Sequence, residues 1–158
     1  MKPLNPLLIR SDLSHLPALS VLAEEWDYDA ASAVLETLKD PAYQFFLLFH
    51  QAEVLGGVYI LQSAFTVDIL YLYIRKDKRR QHLGLVLLEQ LVSVQLPKSV
   101  QKIVLEVRRQ NTAAQKLYES FGFSKVRTIP KYYKDGEDAF VYVFECCFGT
   151  RTNSSLFS

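Results

Sequence analysis

The sequence predicts an α/β fold of the α+β kind: one mixed, mostly antiparallel sheet with about four helices on its two faces. Three observations predict it. First, the run TVDILYLYI (Thr66–Ile74), the amphipathic run HLGLVLLEQLVSVQ and the run QKIVLEV follow one another, with a basic turn between the first two. A strand, helix, strand unit of that length has parallel strands and a right-handed crossover. Second, the aromatic run Tyr43–His50 and the run 54–62 flank a three-residue turn at 51–53, the pattern of an antiparallel hairpin. Third, hydrophobic residues make up 49% and charged residues 22% of 158, which suits one domain with a sizeable core.

The elements follow in order. Leu7–Arg10 is a short first strand. Asp12 or Ser14 is placed to cap a helix with Leu13, Leu16, Leu19, Val21 and Leu22 on its apolar side. Trp26 and Tyr28 form an aromatic turn, and Asp29 caps a second helix with Ala33, Val34 and Leu38 inward, closed by Pro41. Gly56 and Gly57, inside the returning hairpin strand, mark a bulge or a close backbone approach. The strand Thr66–Ile74 is apolar on both faces, as a central strand covered on both sides would be. The next helix buries Leu83, Leu87, Leu88, Leu91 and Val94 and ends at Pro97. After a strand at 103–107, Asn111 or Thr112 caps a helix bearing Ala114, Leu117, Tyr118 and Phe121, which Gly122 stops. Strands at 123–128 and 139–147 are joined by a long loop, 129–138, that carries Tyr132 and Tyr133. The order is βααβββαβαββ, a single domain over 1–148 with a polar, loosely ordered tail at 149–158.

Charge and composition narrow the partners. A net charge of +1 gives no basis for nucleic-acid or membrane attraction, and the positive charge is local to 75–80, so the expected anionic partner is small. No apolar run reaches the roughly 18 residues of a membrane span, and the first residues show no cleavage pattern. Cys146 and Cys147 are adjacent and point to opposite faces of a strand, so they are expected to be reduced thiols of a cytoplasmic protein. His15, His50 and His82 have no spacing that suggests a metal site.

The turn Arg79-Arg80-Gln81-His82-Leu83-Gly84 lies at the carboxyl end of a strand and the amino end of a helix. The first helical turn has unpaired N–H groups and a partial positive charge, and Lys78, Arg79 and Arg80 add cations. Two readings of this turn stand together: a phosphate cradle and a solvated basic loop. Glu106 interrupts Ile103, Val104, Leu105 and Val107, so a carboxylate sits in a central strand. It is a general base of raised pKa, an ion-pair partner of Arg108, or simply exposed at the strand end. Tyr118 is either a proton donor or a core tyrosine, Asn111 is most simply a helix cap, and Tyr132 and Tyr133 are open to a role in shielding a sheet edge.

Together these pieces resemble the GNAT superfamily of N-acetyltransferases, and within it the ribosomal-protein-alanine N-acetyltransferase branch. RRQHLG is similar to the signature Q/R-x-x-G-x-G/A. LEVRRQNTAAQKLYESFGF is similar to L-E-V-R-x-S-N-x-x-A-x-x-L-Y-x-x-x-G-F, and KYYKDGEDA to N-Y-Y-x-x-G-x-E-D-A. The resemblance implies acetyl-CoA as cosubstrate, a protein N-terminus or small amine as acceptor, no metal, and a monomer or homodimer. It implies a parallel strand pair splayed to hold CoA. The diphosphate would rest on Arg80 to Leu85 (Arg80, Gln81, His82, Leu83, Gly84, Leu85) beside Arg79, and the pantetheine arm along Leu72, Tyr73 and Ile74. The family's base falls on Glu106, its acid on Tyr118, and its cofactor-contacting Asn on Asn111. His82 replaces the signature's first Gly and fits if the position is helical. Two other classes stay open: a CoA-binding sensor without transfer, and an interaction domain without CoA.

Overall fold

The computed structural model describes residues 4–24, 28–37 and 39–147. Glu25, Trp26, Asp27, Leu38 and the tail lie outside the described residues, as do the side chains of Leu13, Tyr28, Asp29 and Ala33. The elements are β1 (Leu7–Arg10), α1 (Leu16–Ala23), α2 (Tyr28–Thr37), β2 (Tyr43–His50), β3 (Glu53–Gln62), β4 (Thr66–Ile74), α3 (Leu83–Gln90), β5 (Lys102–Arg108), α4 (Thr112–Phe121), β6 (Ser124–Ile129) and β7 (Ala139–Glu145). The expected order holds throughout. Boundaries move by a residue or two, and β7 stops at Glu145, so the two cysteines follow the strand, Cys146 half-buried and Cys147 exposed.

Seven strands form one sheet in the order β1-β2-β3-β4-β5-β7-β6. Every neighbouring pair is antiparallel except β4 and β5, which are parallel as the α3 crossover requires. Leu83, Leu87, Leu88 and Leu91 pack on one face against Val58, Ile60, Ile69, Ile103 and Leu105. Leu19, Leu22 and Val34 cover Phe45, Leu47 and Tyr59 on the other. The first helix therefore buries a narrower stripe than expected: Leu16 and Val21 are exposed. Asp12 caps a 3-10 turn ahead of α1 by accepting from the Ser14 N–H at 2.8 Å, and Asp29, expected before α2, is its second residue.

One expected core residue is displaced. α3 continues into a wide π-helical turn, Leu91–Gln95, closed by the Leu96 N–H on the Leu91 carbonyl at 2.9 Å. The extra residue in that turn rotates Val94 outward, to 68% exposed, and puts Leu96 inside instead. The same stretch finishes the sheet edge. Gln90 Oε1 accepts from the Leu8 N–H, Gln90 Nε2 donates to the Pro6 carbonyl and Gln95 Nε2 to the Leu8 carbonyl, each at 2.7 Å. These amides occupy polar groups on β1, the kind an edge strand otherwise offers to another chain.

Candidate active site

β4 and β5 are in register from Thr66 opposite Lys102 to Ile69 opposite Leu105, and then separate. The cause lies in β4. Tyr71 pairs with Tyr59 and Ile69 with Ile60, so Leu70 is an extra, bulged residue that bends the strand. Past the bulge β4 follows β3, while β5 stays paired with β7 as far as Arg108 opposite Ala139. A gap opens at the carboxyl ends of both strands. The expectation that β4 is covered on both sides thus holds for Val67 and Ile69 only; Leu70 and Tyr71 are exposed. The Arg75 N–H donates to the Leu55 carbonyl at 2.9 Å. Alternation along that ladder turns the N–H groups of Ile74 and Leu72 away from β3, into the gap. The Ile74 carbonyl, on the same side, accepts from Arg79 Nε at 3.0 Å.

A groove of about 640 Å³ runs from this gap. Leu72, Tyr73 and Ile74 form one wall; Arg79, Arg80, His82, Leu83, Gly84 and Leu85 form its head; Asn111 and Tyr118 line the side of α4. Gln81 is not in the lining. Arg80 has φ 63° and His82 φ 57°, both left-handed, with Gln81 between them in the ordinary half of φ space. Left-handed residues in a turn ahead of a helix are the kind of backbone that can direct successive N–H groups toward one point, as in anion-binding nests. His82 is therefore not helical, contrary to the condition on which a His was expected to fit. It precedes α3, and its carbonyl accepts from the Val86 N–H at 3.1 Å. A left-handed backbone costs a residue with a Cβ roughly 1–2 kcal/mol, part of which glycine's extra freedom in the unfolded chain offsets. His82→Gly is expected to raise the thermal midpoint by about 2–4 °C, read by calorimetry, with the groove unchanged.

Less cationic charge reaches the cradle than the sequence suggests. Lys78 Nζ is 2.9 Å from Glu53 Oε1, and Arg75 is tied to Glu53 at 3.2 Å and to Asp77 at 3.0 Å. Arg79 and Arg80 remain, with the Arg79 guanidinium 5.4 Å from the Tyr73 ring centre. Gly84 has a packing role: a Cβ there would lie 2.8 Å from Leu117 Cδ2, so its absence lets α3 approach α4. Asn111 caps α4, its Oδ1 accepting from the Ala114 N–H at 3.1 Å. Tyr118 is 7% exposed, between Phe123 and Tyr142, and burial pushes its phenol up to about 12.

Glu106 lies on the other face of the sheet. Ile103, Leu105 and Val107 enter the α3–α4 core, so alternation turns Glu106 away from it, and it does not line the groove. It is the first residue of β5 beyond the last pair with β4, half-buried at the mouth of the gap. Burial, then the negative charge of Asp68, hold its carboxyl above the usual carboxylate range. The suggested ion pair with Arg108 is absent. Arg108 Nη1 instead donates to Glu137 at 2.7 Å and Asp135 at 2.8 Å, with its guanidinium 3.9 Å from the Tyr133 ring centre. That clamp pins the β6–β7 loop to the end of β5 and brings Tyr132 and Tyr133 beside Glu106. Both phenols are raised, first by burial, and Glu106 contributes to each. Tyr133 also acts on Tyr118, so one side chain is felt on both sides of the gap. The sequence reading missed the clamp and Asp68; the acidic run KDGED, facing a basic strand end, was the available signal for the first.

Among known proteins, the model of the acetyltransferase (GNAT) family matches residues 10–123. An uncharacterised N-acetyltransferase of Methanocaldococcus jannaschii is 36% identical over 100 residues, covering 60% of this chain and 64% of that protein. The ribosomal protein bS18-alanine N-acetyltransferase of Escherichia coli is 44% identical over 68 residues, 41% of this chain and 46% of that protein. The chain thus spans between about half and two thirds of the length of these curated relatives. The crystal structure of the Escherichia coli ribosomal-protein-S18-alanine enzyme superposes with a TM-score of 0.78 at 24% identity, covering 94% of this chain and 98% of that one. Arabidopsis thaliana NAA60 superposes with a TM-score of 0.72 at 16% identity in both of two complexes, covering 92% of this chain and 100% of that one with a bisubstrate analogue bound, and 89% and 99% with acetyl-CoA bound. Family model, parted parallel strands and left-handed turn agree, and the chain belongs to the acetyltransferase (GNAT) family.

Proposed function

We propose that this chain transfers an acetyl group from acetyl-CoA to a primary amine, by direct attack of the amine on the thioester. The observation that carries this reading is the gap beyond Ile69 and Leu105, with strand N–H groups on one lip and a left-handed basic turn at its head. The residues present fit the cosubstrate. The turn and the first N–H groups of α3 suit a diphosphate, Arg79 and Arg80 supply charge, and the N–H groups of Leu72 and Ile74 suit an amide-bearing arm laid along β4. Acetyl-CoA supplies an activated acyl carbon and a thiolate leaving group.

The chain's own groups balance the transfer. A C–N bond forms and a C–S bond breaks. Glu106 takes the proton that the amine nitrogen sheds, its raised pKa suiting a base near neutral pH. Tyr118 stays protonated at neutral pH and gives a proton to the departing sulfur, while the Ile74 N–H is placed to steady charge on the carbonyl oxygen. The relative named for an alanine of a ribosomal protein supports a protein N-terminus as acceptor. Mixing the protein with acetyl-CoA and a peptide of free N-terminal alanine should release CoA thiol and yield acetylated peptide by mass. Tyr118→Phe should slow release on the order of 10²-fold with CoA affinity kept. Absence of CoA binding by calorimetry would overturn the reading.

A further inference from the structure

Two carboxylates stand at the mouth of the gap. The last paired positions are Ile69 and Leu105, and Asp68 and Glu106 flank that point, one on each strand. Asp68 is opposite Val104, and Val104 shares a face with Glu106, so both acids lie on the sheet face away from α3 and α4. Both are half-buried. Among the described residues neither is in an ion pair, and no other side chain hydrogen-bonds to either.

The charged groups around them come from every neighbouring strand. On β5, Arg108 is engaged by Asp135 and Glu137, and Lys102, exposed, acts on Asp68 from the side away from Glu106. On β6, Arg127 is opposite Val141, the β7 partner of Glu106, and draws the Glu106 carboxyl down more weakly than Asp68 draws it up. Tyr132 and Tyr133 face Glu106 from the loop, and Tyr71 acts on Tyr132 from β4. The result is a small anionic patch flanked by tyrosines on the side opposite the groove. Lys102 and Arg127 act on these carboxylates without forming an ion pair with either, so keeping both half-buried and charged is costly unless a further cation arrives there.

We propose that Asp68 is a positioning residue for the acceptor: across the mouth of the gap its charge keeps Glu106 basic and receives amines that arrive as ammonium ions. This rests on Glu106 being the base. The ammonium binds against the carboxylate pair and loses one proton through Glu106 to solvent; the neutral amine attacks, and Glu106, again ionised, takes the second nitrogen proton as Tyr118 protonates the departing sulfur, while Asp68 keeps its charge.

The test is the pH dependence of kcat/KM with one peptide amine for the wild type, Asp68→Asn, Asp68→Thr and Glu106→Gln. The amine's own titration is common to all four. Thr is included because its β-branched side chain suits a strand, so two neutral replacements stand behind the result. Removing a neighbouring negative charge lowers a carboxyl's pKa, so the acidic limb should move to lower pH by about half a unit to one unit in both Asp68 variants. KM for the amine should rise, and the dissociation constant of CoA should stay at the wild-type value. A limb that stays in place or moves to higher pH in either folded variant overturns the inference. Glu106→Gln separates the two failures. If it keeps the wild-type limb, Glu106 is not the base; if it abolishes the limb while the Asp68 variants leave it unmoved, only the role of Asp68 falls.

Discussion

Glu106→Gln should lower kcat by about 10²- to 10⁴-fold, the range of a lost general base, while CoA binds as before. The separation follows from the sheet. Glu106 projects from the face opposite the groove, so the amide neither fills the cosubstrate channel nor touches its head. Gln is nearly isosteric, and among the described residues no side-chain hydrogen bond or ion pair is broken, so folding should hardly change. Removing a raised carboxyl even removes a desolvation cost. What disappears is the carboxylate that β5 contributes at the junction of the two strands, while Asp68 on β4 stays in place. The readout is steady-state release of CoA, with calorimetric titration of CoA as control. Loss of kcat together with loss of CoA affinity would assign Glu106 to the groove instead, and an unchanged kcat would remove it from the chemistry.

The fold was legible because its signals are local. Periodicity, turn residues and the length of the crossover fix element order, and the order leaves few sheets to choose from. Gly56 and Gly57 announced a close approach, and β3 bears this out with a bulge beside them at Leu55. The misplaced residues are those whose environment depends on an irregularity. Val94 was assigned inward by a period of 3.6, which the π-helical turn breaks. Tyr71 and Leu70 were assigned to a covered strand, which the Leu70 bulge interrupts; nothing in TVDILYLYI marks a bulge. His82 read as helical because a helix follows at once, yet it takes the left-handed conformation that the family signature meets with glycine. The groove's lining followed from the turn and from Asn111 and Tyr118, whereas the acidic surroundings of Glu106 did not. Asp68, Arg108 and Arg127 reach it from three strands, and their meeting is set by register, which sequence spacing does not carry.

Gly56→Ala should be among the most damaging single changes in the sheet, and it should strike stability and CoA binding together. A Cβ at Gly56 would lie 2.3 Å from the Tyr73 carbonyl oxygen, 2.8 Å from Ile74 Cδ1 and 3.1 Å from Ile74 Cα. Two of those three atoms are backbone, so no rotamer change relieves the clash. β3 must lift away from β4, or the Tyr73–Ile74 peptide must move toward the gap whose wall it forms. Overpacking of this kind costs about 1–3 kcal/mol, which for a chain of this size lowers the thermal midpoint by about 5–10 °C at the upper end. Gly57→Ala is the matched control. Its Cβ would meet Phe45 ring carbons at 2.9 and 3.0 Å and the Phe46 carbonyl at 2.9 Å, a clash with β2 rather than β4. Gly57→Ala should therefore lose stability while the folded fraction still binds CoA normally. Gly56→Ala should bind CoA more weakly even at temperatures where circular dichroism shows it folded. Equal CoA affinity in the two folded variants would mean that the position of the Tyr73–Ile74 peptide does not set the width of the gap.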